Sequence, residues 1–271
     1  MRHLIRLTDW TPADVDDVFA LARRYRTCDG PRLDGAVAMF FPPSSIRTRA
    51  SFERGAASAG LQPIVFPPES LDKPEALEDV AGYLAQFVDA VVVRHPDISV
   101  LERLAAAEAL PIVNAMTSEN HPCEVLSDLF ALSLSTDPRS LRYVFVGADG
   151  NIGRAWREAA QLLSLEITQC CPAELAMSDV PTTEDLEGAV SRADVILTDG
   201  PGKDAEALAP YRITGEVLAK APAGVRLAPC PPFVRGREVT AEAIASDAFV
   251  GYGFKRELLP VQQAILAHCM V

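Results

Sequence analysis

The sequence has no apolar run approaching the roughly 20 residues a helix needs to cross a bilayer, so no membrane span is expected. Its opening, Met1-Arg-His-Leu-Ile-Arg-Leu-Thr-Asp-Trp10, carries no signal-peptide core. No CxxC pair occurs among its six cysteines, Cys28, Cys123, Cys170, Cys171, Cys230 and Cys269. Six in 271 residues do not make a disulfide framework, and without paired spacing no zinc site is expected. Positive charge is also short: 37 acidic against 25 basic residues, a net charge of -12. A self-repelling acidic surface argues against nucleic acid and acidic membrane as partners, although it leaves room for a small cationic pocket. Repeats, low-complexity tracts and long charge runs are absent. What remains is 49% hydrophobic and 23% charged, globular in composition, and reads as a reduced, cytoplasmic protein.

What is present is an alternation of buried-strand runs and helical stretches. Thr11-Pro12 suits an N-cap and first turn, with apolar spacing through Val15, Val18, Phe19 and Leu21. Strands are predicted at 36–41, 63–66, 90–93 and 111–113, and helices at 51–59, 76–87, 99–109 and 124–134. The pattern restarts with strands at 141–146, 165–168, 194–197 and 225–227 and a helix at 152–163. Such alternation implies an α/β protein of two doubly wound domains with parallel sheets. The best boundary is Asp137-Pro-Arg-Ser140, giving residues 1–136 and 137–252. The apolar segment 258–270 has no strand after it and is expected, within a closing stretch 253–271, to return to the first domain as a helix.

Ligands of open parallel sheets bind beyond the carboxyl ends of strands. After the first strand, Ser44 or Ser45 can cap a helix whose first turn carries Arg47 and Arg49. Cations are the wrong sign for a helix N-terminus, and a bound anion would resolve the conflict. The competing reading is that both arginines face solvent or pair with Glu53. The strand at 90–93 ends in Arg94-His95-Pro96, where Arg94 either serves the site or snorkels. His121-Pro122 places a histidine at another helix start, where the helix dipole keeps the imidazole neutral and able to donate to a carbonyl oxygen; alone, it would more often be structural. Ser45, Arg47, Thr48, Arg94 and His121 together describe a site for an anion joined to a carbonyl.

In the second half, Gly147-Ala-Asp-Gly150-Asn-Ile-Gly153-Arg154 follows a strand and has the look of a dinucleotide-binding turn, but no convincing ribose-binding acid ends the next strand, so nucleotide-dependent oxidoreduction is the weaker reading. Arg154 suggests an anionic group such as a carboxylate, and Asp199, after another strand, suits an amine. Cys230-Pro231-Pro232 ends the last strand as a rigid pocket wall with a candidate cis bond.

In order along nearly the whole chain, these residues resemble the aspartate/ornithine carbamoyltransferase family. Ser45-Ile-Arg-Thr-Arg49 with Ser51-Phe-Glu53 resembles the family's phosphate loop, Arg94-His95-Pro96 its R-H-P strand end, and His121-Pro-Cys-Glu124 with Asp128 its H-P-x-Q helix start. Ser70-Leu-Asp-Lys73-Pro-Glu75 resembles the lysine loop lent to a neighbouring subunit. The resemblance implies a carbamoyl-phosphate-binding domain (1–136 plus 253–271), an acceptor domain (137–252) and a homotrimer with sites at subunit interfaces. Ser45, Ile46, Arg47, Thr48, Arg94, His121, Glu124 and Lys73 would bind carbamoyl phosphate, with Arg94, His121 and Thr48 catalytic. Arg154, Asp199, Cys230 and Pro231 would bind an amino-acid-like acceptor. No metal or organic cofactor is implied.

Departures from the family mark both sides. Ile46 replaces a threonine, Glu124 a glutamine, and Leu258 an arginine. They motivate an alternative, a catalytically inactive or regulatory ligand-binding paralogue. On the acceptor side the ornithine enzymes' S-M-G signature is absent, with Gly202-Lys203-Asp204 near its place, and H-C-L-P has become Pro229-Cys-Pro-Pro232. The stretches after Cys171 and Asp199 are short for the family, so the expected acceptor is an amino compound other than plain ornithine or aspartate.

Overall fold

The computed structural model describes residues 1–270. The chain forms two compact units, one made of Met1–Ala131 with the segment from Lys255 onward, the other of Leu132–Phe254. The first division falls just before the break expected at Asp137–Ser140, inside a helix that continues to Ser133 without a turn.

In the first unit α1 (Pro12–Arg26) starts where the Thr11-Pro12 signal places it. Thr11 Oγ1 accepts from the Asp14 N–H, and the Asp14 carboxylate accepts from the Thr11 N–H at 2.8 Å, a reciprocal cap. Then come β1 (Ala36–Phe40), α2 (Ile46–Ala59), β2 (Gln62–Phe66), α3 (Leu77–Leu84), β3 (Ala90–Arg94), α4 (Ile98–Ala106), β4 (Ile112–Met116) and α5 (Pro122–Ser133). The four strands are parallel in the order β2-β1-β3-β4. Val37, Ala38, Met39 and Val91, Val92, Val93 are fully buried, the unbroken apolar run of a sheet covered on both faces. Helix α2 starts five residues earlier than predicted because its first turn, Ile-Arg-Thr-Arg, has no apolar period to read. It ends at Gly60, whose φ of 110° and approach to the Leu33 carbonyl leave no room for a Cβ.

The second unit contains β5 (Arg142–Val146), α6 (Asn151–Leu163), β6 (Glu166–Cys170), β7 (Thr182–Thr183), α7 (Leu186–Val190), β8 (Val195–Thr198), α8 (Gly215–Leu218), β9 (Arg226–Pro229), α9 (Ala241–Ala245) and α10 (Gly251–Phe254). Its parallel sheet has the order β7-β6-β5-β8-β9. Strand β7, two residues long, is too short to carry an alternation signal. The terminal helix, α11 (Leu258–Met270), belongs to the first unit and packs against α1 and α2. It is buried from Pro260 to Cys269, as expected of a helix apolar on all sides.

Each sheet has a point where strand order reverses, between β1 and β3 in the first and between β5 and β8 in the second. Crevices beyond the carboxyl ends of strands form at such points.

Candidate active site

Ser45 occupies the N-cap position of α2, yet its side chain caps nothing. Its Oγ instead accepts a hydrogen bond from Arg94 Nη1 at 3.1 Å. The expected cap is therefore corrected. The hydroxyl is turned to the neighbouring strand end, and the first N–H groups of α2 have no side-chain acceptor at the N-cap. Thr48 is buried, while Ile46 is 73% exposed. Of the two arginines in that turn, Arg49 pairs with Glu53 one turn on. Arg47 is exposed and has no ion pair among the described residues.

Arg94 ends β3 partly buried. Loss of solvent, and then repulsion by Arg47, lower its pKa from the usual guanidinium value, with Glu124 opposing. The two guanidinium groups therefore share one electrostatic neighbourhood. His95, which lines a strand-end pocket together with Arg94, has both ring nitrogens engaged: its Nδ1 accepts from the Asp97 N–H at 3.1 Å, so its Nε2 donates to Asp72 Oδ1 at 3.0 Å. That bond ties down the loop before Lys73. Lys73 itself is exposed and makes no hydrogen bond or ion pair among the described residues.

Strand β4 extends three residues beyond its predicted end, where the side-chain nitrogen of buried Asn114 is paired although its Oδ1 has no partner among the described residues. Its Nδ2 donates to the Ile5 carbonyl at 2.8 Å and to Asn120 Oδ1 at 2.6 Å. Asn120 in turn donates its N–H to Thr117 Oγ1 at 3.1 Å. This network fixes the turn that delivers His121 to the start of α5. His121 is buried, and its Nδ1 has no hydrogen-bond partner. Burial lowers its pKa to about 4; Glu124 opposes this, and Arg94 and Lys255 add to it. Burial, a cause different from the helix dipole invoked on the sequence, favours the neutral imidazole near pH 7.

His121, Glu124 and Asp128 follow at spacings of three and four, on one face of α5. Both carboxylates are buried, and one cation serves them. Lys255 Nζ lies 2.7 Å from Glu124 Oε1 and 2.6 and 2.8 Å from the two oxygens of Asp128. Burial alone would raise the Glu124 pKa, but Lys255, with His121 and Arg47, holds it below the ordinary value. Asp128 goes the other way, raised to about 6 by burial, with Lys255 opposing and Glu124 adding to the rise. One lysine shared by two acids makes them titrate as a set. Sequence reasoning missed Lys255. The available signal was the acidic i, i+4 pair on α5, which needs a buried counter-charge from elsewhere in the chain.

In the second unit Gly150 is the N-cap of α6. A Cβ on Gly153 would lie 2.8 Å from the Phe145 ring, so this glycine is explained by close packing of helix on strand. Arg154 is held by Asp149, Nε to Oδ1 at 2.6 Å and Nη2 to Oδ2 at 3.1 Å. Asp199 follows β8 and accepts from the Gly200 N–H at 2.8 Å. Cys230 is buried after β9, and the Pro231–Pro232 peptide is cis. A small pocket, partly open to solvent, takes Asp199 into its lining but not Arg154, Cys230 or Pro231.

The family model described as aspartate/ornithine carbamoyltransferase, carbamoyl-P binding domain, matches residues 2–133. The companion model, described as the Asp/Orn binding domain, matches residues 139–269. The chain is 30% identical to the ornithine carbamoyltransferase of Nitrobacter winogradskyi, over 99% of this chain and 97% of that protein. It is 28% identical to that of Geobacter sulfurreducens over 100% of this chain and 99% of that one. Among solved structures, the ornithine carbamoyltransferase of Burkholderia thailandensis matches with a TM-score of 0.91 at 26% identity, covering 100% of this chain and 99% of that one. That of Pyrococcus furiosus gives 0.92 at 25%, covering 99% and 97%.

Proposed function

The chain belongs to the aspartate/ornithine carbamoyltransferase family, and from this premise we propose that it moves the carbamoyl group of carbamoyl phosphate to the amine of a small amino-acid-like acceptor. The observation that carries this is the set of groups at the β1/β3 switch point: an uncapped helix start, an unpaired Arg47, Arg94 tied to Ser45, and a neutral His121 close by.

In this reading the α2 N–H groups, Ser45, Arg47 and Thr48 hold the phosphate. Thr48, Arg94 and His121 donate to the carbonyl oxygen, where charge develops as a neutral amine attacks carbon; one well-placed donor is worth about 3–4 kcal/mol there. The tetrahedral species collapses by breaking the C–O bond to phosphate, and the departing phosphate takes the proton from the new C–N nitrogen. Holding both reactants in place contributes further. Neither a metal nor an organic cofactor has a part in this scheme. Glu124, kept ionised beside Lys255, can accept from the carbamoyl NH2. Its charge is already paired, which weakens the case for an inactive paralogue, and Lys255 supplies a cation three residues before Leu258.

The acceptor is read as an amino compound other than plain ornithine or aspartate, because the S-M-G signature is missing and Arg154 is already occupied by Asp149. The family resemblance further supports a cytoplasmic homotrimer in which the exposed Lys73 reaches a neighbouring subunit's site. Isothermal titration with carbamoyl phosphate tests the donor half, and absence of binding at millimolar ligand would sink it. A screen of amino acids and diamines with carbamoyl phosphate, read by mass spectrometry for a carbamoyl adduct, tests the transfer.

A further inference from the structure

Lys255 lies in the first unit with both acids it serves, and its contacts to them are uneven. Asp128 meets Nζ with two oxygens, at 2.6 and 2.8 Å, whereas Glu124 gives it Oε1 alone, at 2.7 Å. An ammonium group has three N–H donors, and three carboxylate oxygens are within their reach. Glu124 Oε2 accepts no hydrogen bond among the described residues. Nor is it sealed in the core: the fully buried carboxylate oxygens without a partner there are Oε2 of Glu238 and Oε2 of Glu257. Glu124 stands one turn after His121, and it interacts electrostatically with Arg47 and Arg94. Burying two acids with a lysine is seldom the most stable choice, since apolar side chains of similar volume often do as well or better. The arrangement therefore reads as support for one oxygen that must keep a fixed direction and charge at the site.

We propose that Lys255 is a positioning residue for the donor: anchored by Asp128, it holds Glu124 through Oε1, so that Oε2 stays open as an acceptor for the NH2 of a carbamoyl group and carbamoyl phosphate is selected over acyl phosphates. This rests on the carbamoyl-transfer reading and adds to it a residue outside the motifs that carry the family resemblance. An ionised carboxylate oxygen can only accept. A carbamoyl NH2 offers it N–H donors; the methyl of an acetyl group offers none and leaves the oxygen desolvated without a partner. Without the ammonium, a buried Glu124 takes up a proton and presents an O–H where an acceptor is needed. A glutamine at this position needs no such support, because its amide oxygen accepts while the group is neutral.

The test is calorimetric titration of the full chain with carbamoyl phosphate, acetyl phosphate and inorganic phosphate. Carbamoyl phosphate is expected to bind about thirtyfold more tightly than acetyl phosphate, as one charged hydrogen bond would give. Lys255→Met is expected to bring that ratio below about fivefold, as loss of the charge on the acceptor requires. Lys255→Met combined with Asp128→Asn, which strands one acid instead of two, should do the same and decides the matter if the single variant does not fold. Adding Glu124→Gln to either is expected to restore most of the ratio. Inorganic phosphate should still bind every variant, which marks an intact anion site; a purely structural lysine would lower all three affinities together and leave the ratio alone. Equal affinity for carbamoyl and acetyl phosphate in the unsubstituted protein, a ratio that survives loss of Lys255, or a lost ratio that Glu124→Gln does not recover would each overturn the assignment alone. Failure of the unsubstituted protein to bind carbamoyl phosphate would overturn the carbamoyl-transfer reading, and this assignment with it.

Discussion

Arg94 Nη1 donates to Ser45 Oγ, so the end of β3 is tied to the start of the helix that follows β1. The tie takes the hydroxyl away from capping and leaves the first turn of α2 to act on an anion together with the unpaired Arg47. Arg47→Ala should weaken phosphate binding by about 1.5–3 kcal/mol, roughly a tenfold to hundredfold loss. Arg49→Ala, which removes a side chain already paired with Glu53, should change it by less than threefold. Calorimetric titration with phosphate separates the two, and equal losses would mean that the two arginines had been wrongly distinguished.

Lys255→Met leaves two buried carboxylates with no cation and should destabilise the protein by about 3–5 kcal/mol. Glu124→Gln keeps the Lys255–Asp128 contact and should cost much less. Combining Lys255→Met with Glu124→Gln and Asp128→Asn should recover most of the loss. Urea midpoints for the set would check this, and a triple variant no better than Lys255→Met would refute it.

Two groups on α5 respond to acid with opposite sign. The His121 pKa falls to about 4 on folding, so between pH 6.5 and 4 the unfolded chain binds a proton that the folded one refuses. Stability from this group drops as pH falls through that window, by roughly 3 kcal/mol in full. The Asp128 pKa rises to about 6, so its contribution is complete below 3.8 and is lost as pH rises towards 6. The two slopes oppose each other between pH 4 and 6. Asp128→Asn should therefore steepen the loss of stability on acidification, and His121→Asn should flatten it or reverse its sign. Urea midpoints at pH 4, 5, 6 and 7 decide the matter, and unchanged slopes in both variants would contradict it.

His121→Ala should lower kcat by about 10²–10³ with little change in donor affinity, since its hydrogen bond strengthens as the oxyanion forms. Single-turnover rates alongside donor titration measure both, and a rate equal to that of the unsubstituted protein would remove the histidine from the chemistry.

Much of this was legible in the chain. The valine run 91–93 and the alternation around it gave parallel sheets, and Pro122 placed His121 at a helix start. Charge at strand ends picked out Arg94 and Asp199. What sequence could not give was partnership. Arg47 and Arg49 look alike in the chain, and only the i, i+4 contact with Glu53 tells them apart. Arg154 looks free until Asp149 is seen beside it. Gly153 fits a phosphate-loop spacing, yet a phenylalanine ring is reason enough for it. Lys255 lies 131 positions from Glu124, beyond the reach of any local pattern.

That distance has a consequence for synthesis. A growing polypeptide that has reached residue 131 contains both acids of α5 but neither Lys255 nor α11. At translation speeds of about 5–20 residues per second, the acids await their counter-ion for on the order of ten seconds. The intervening unit is contiguous in the chain, whereas the unit carrying the earlier residues also needs the segment from Lys255 onward, so the half that is begun first is the later one to be completed.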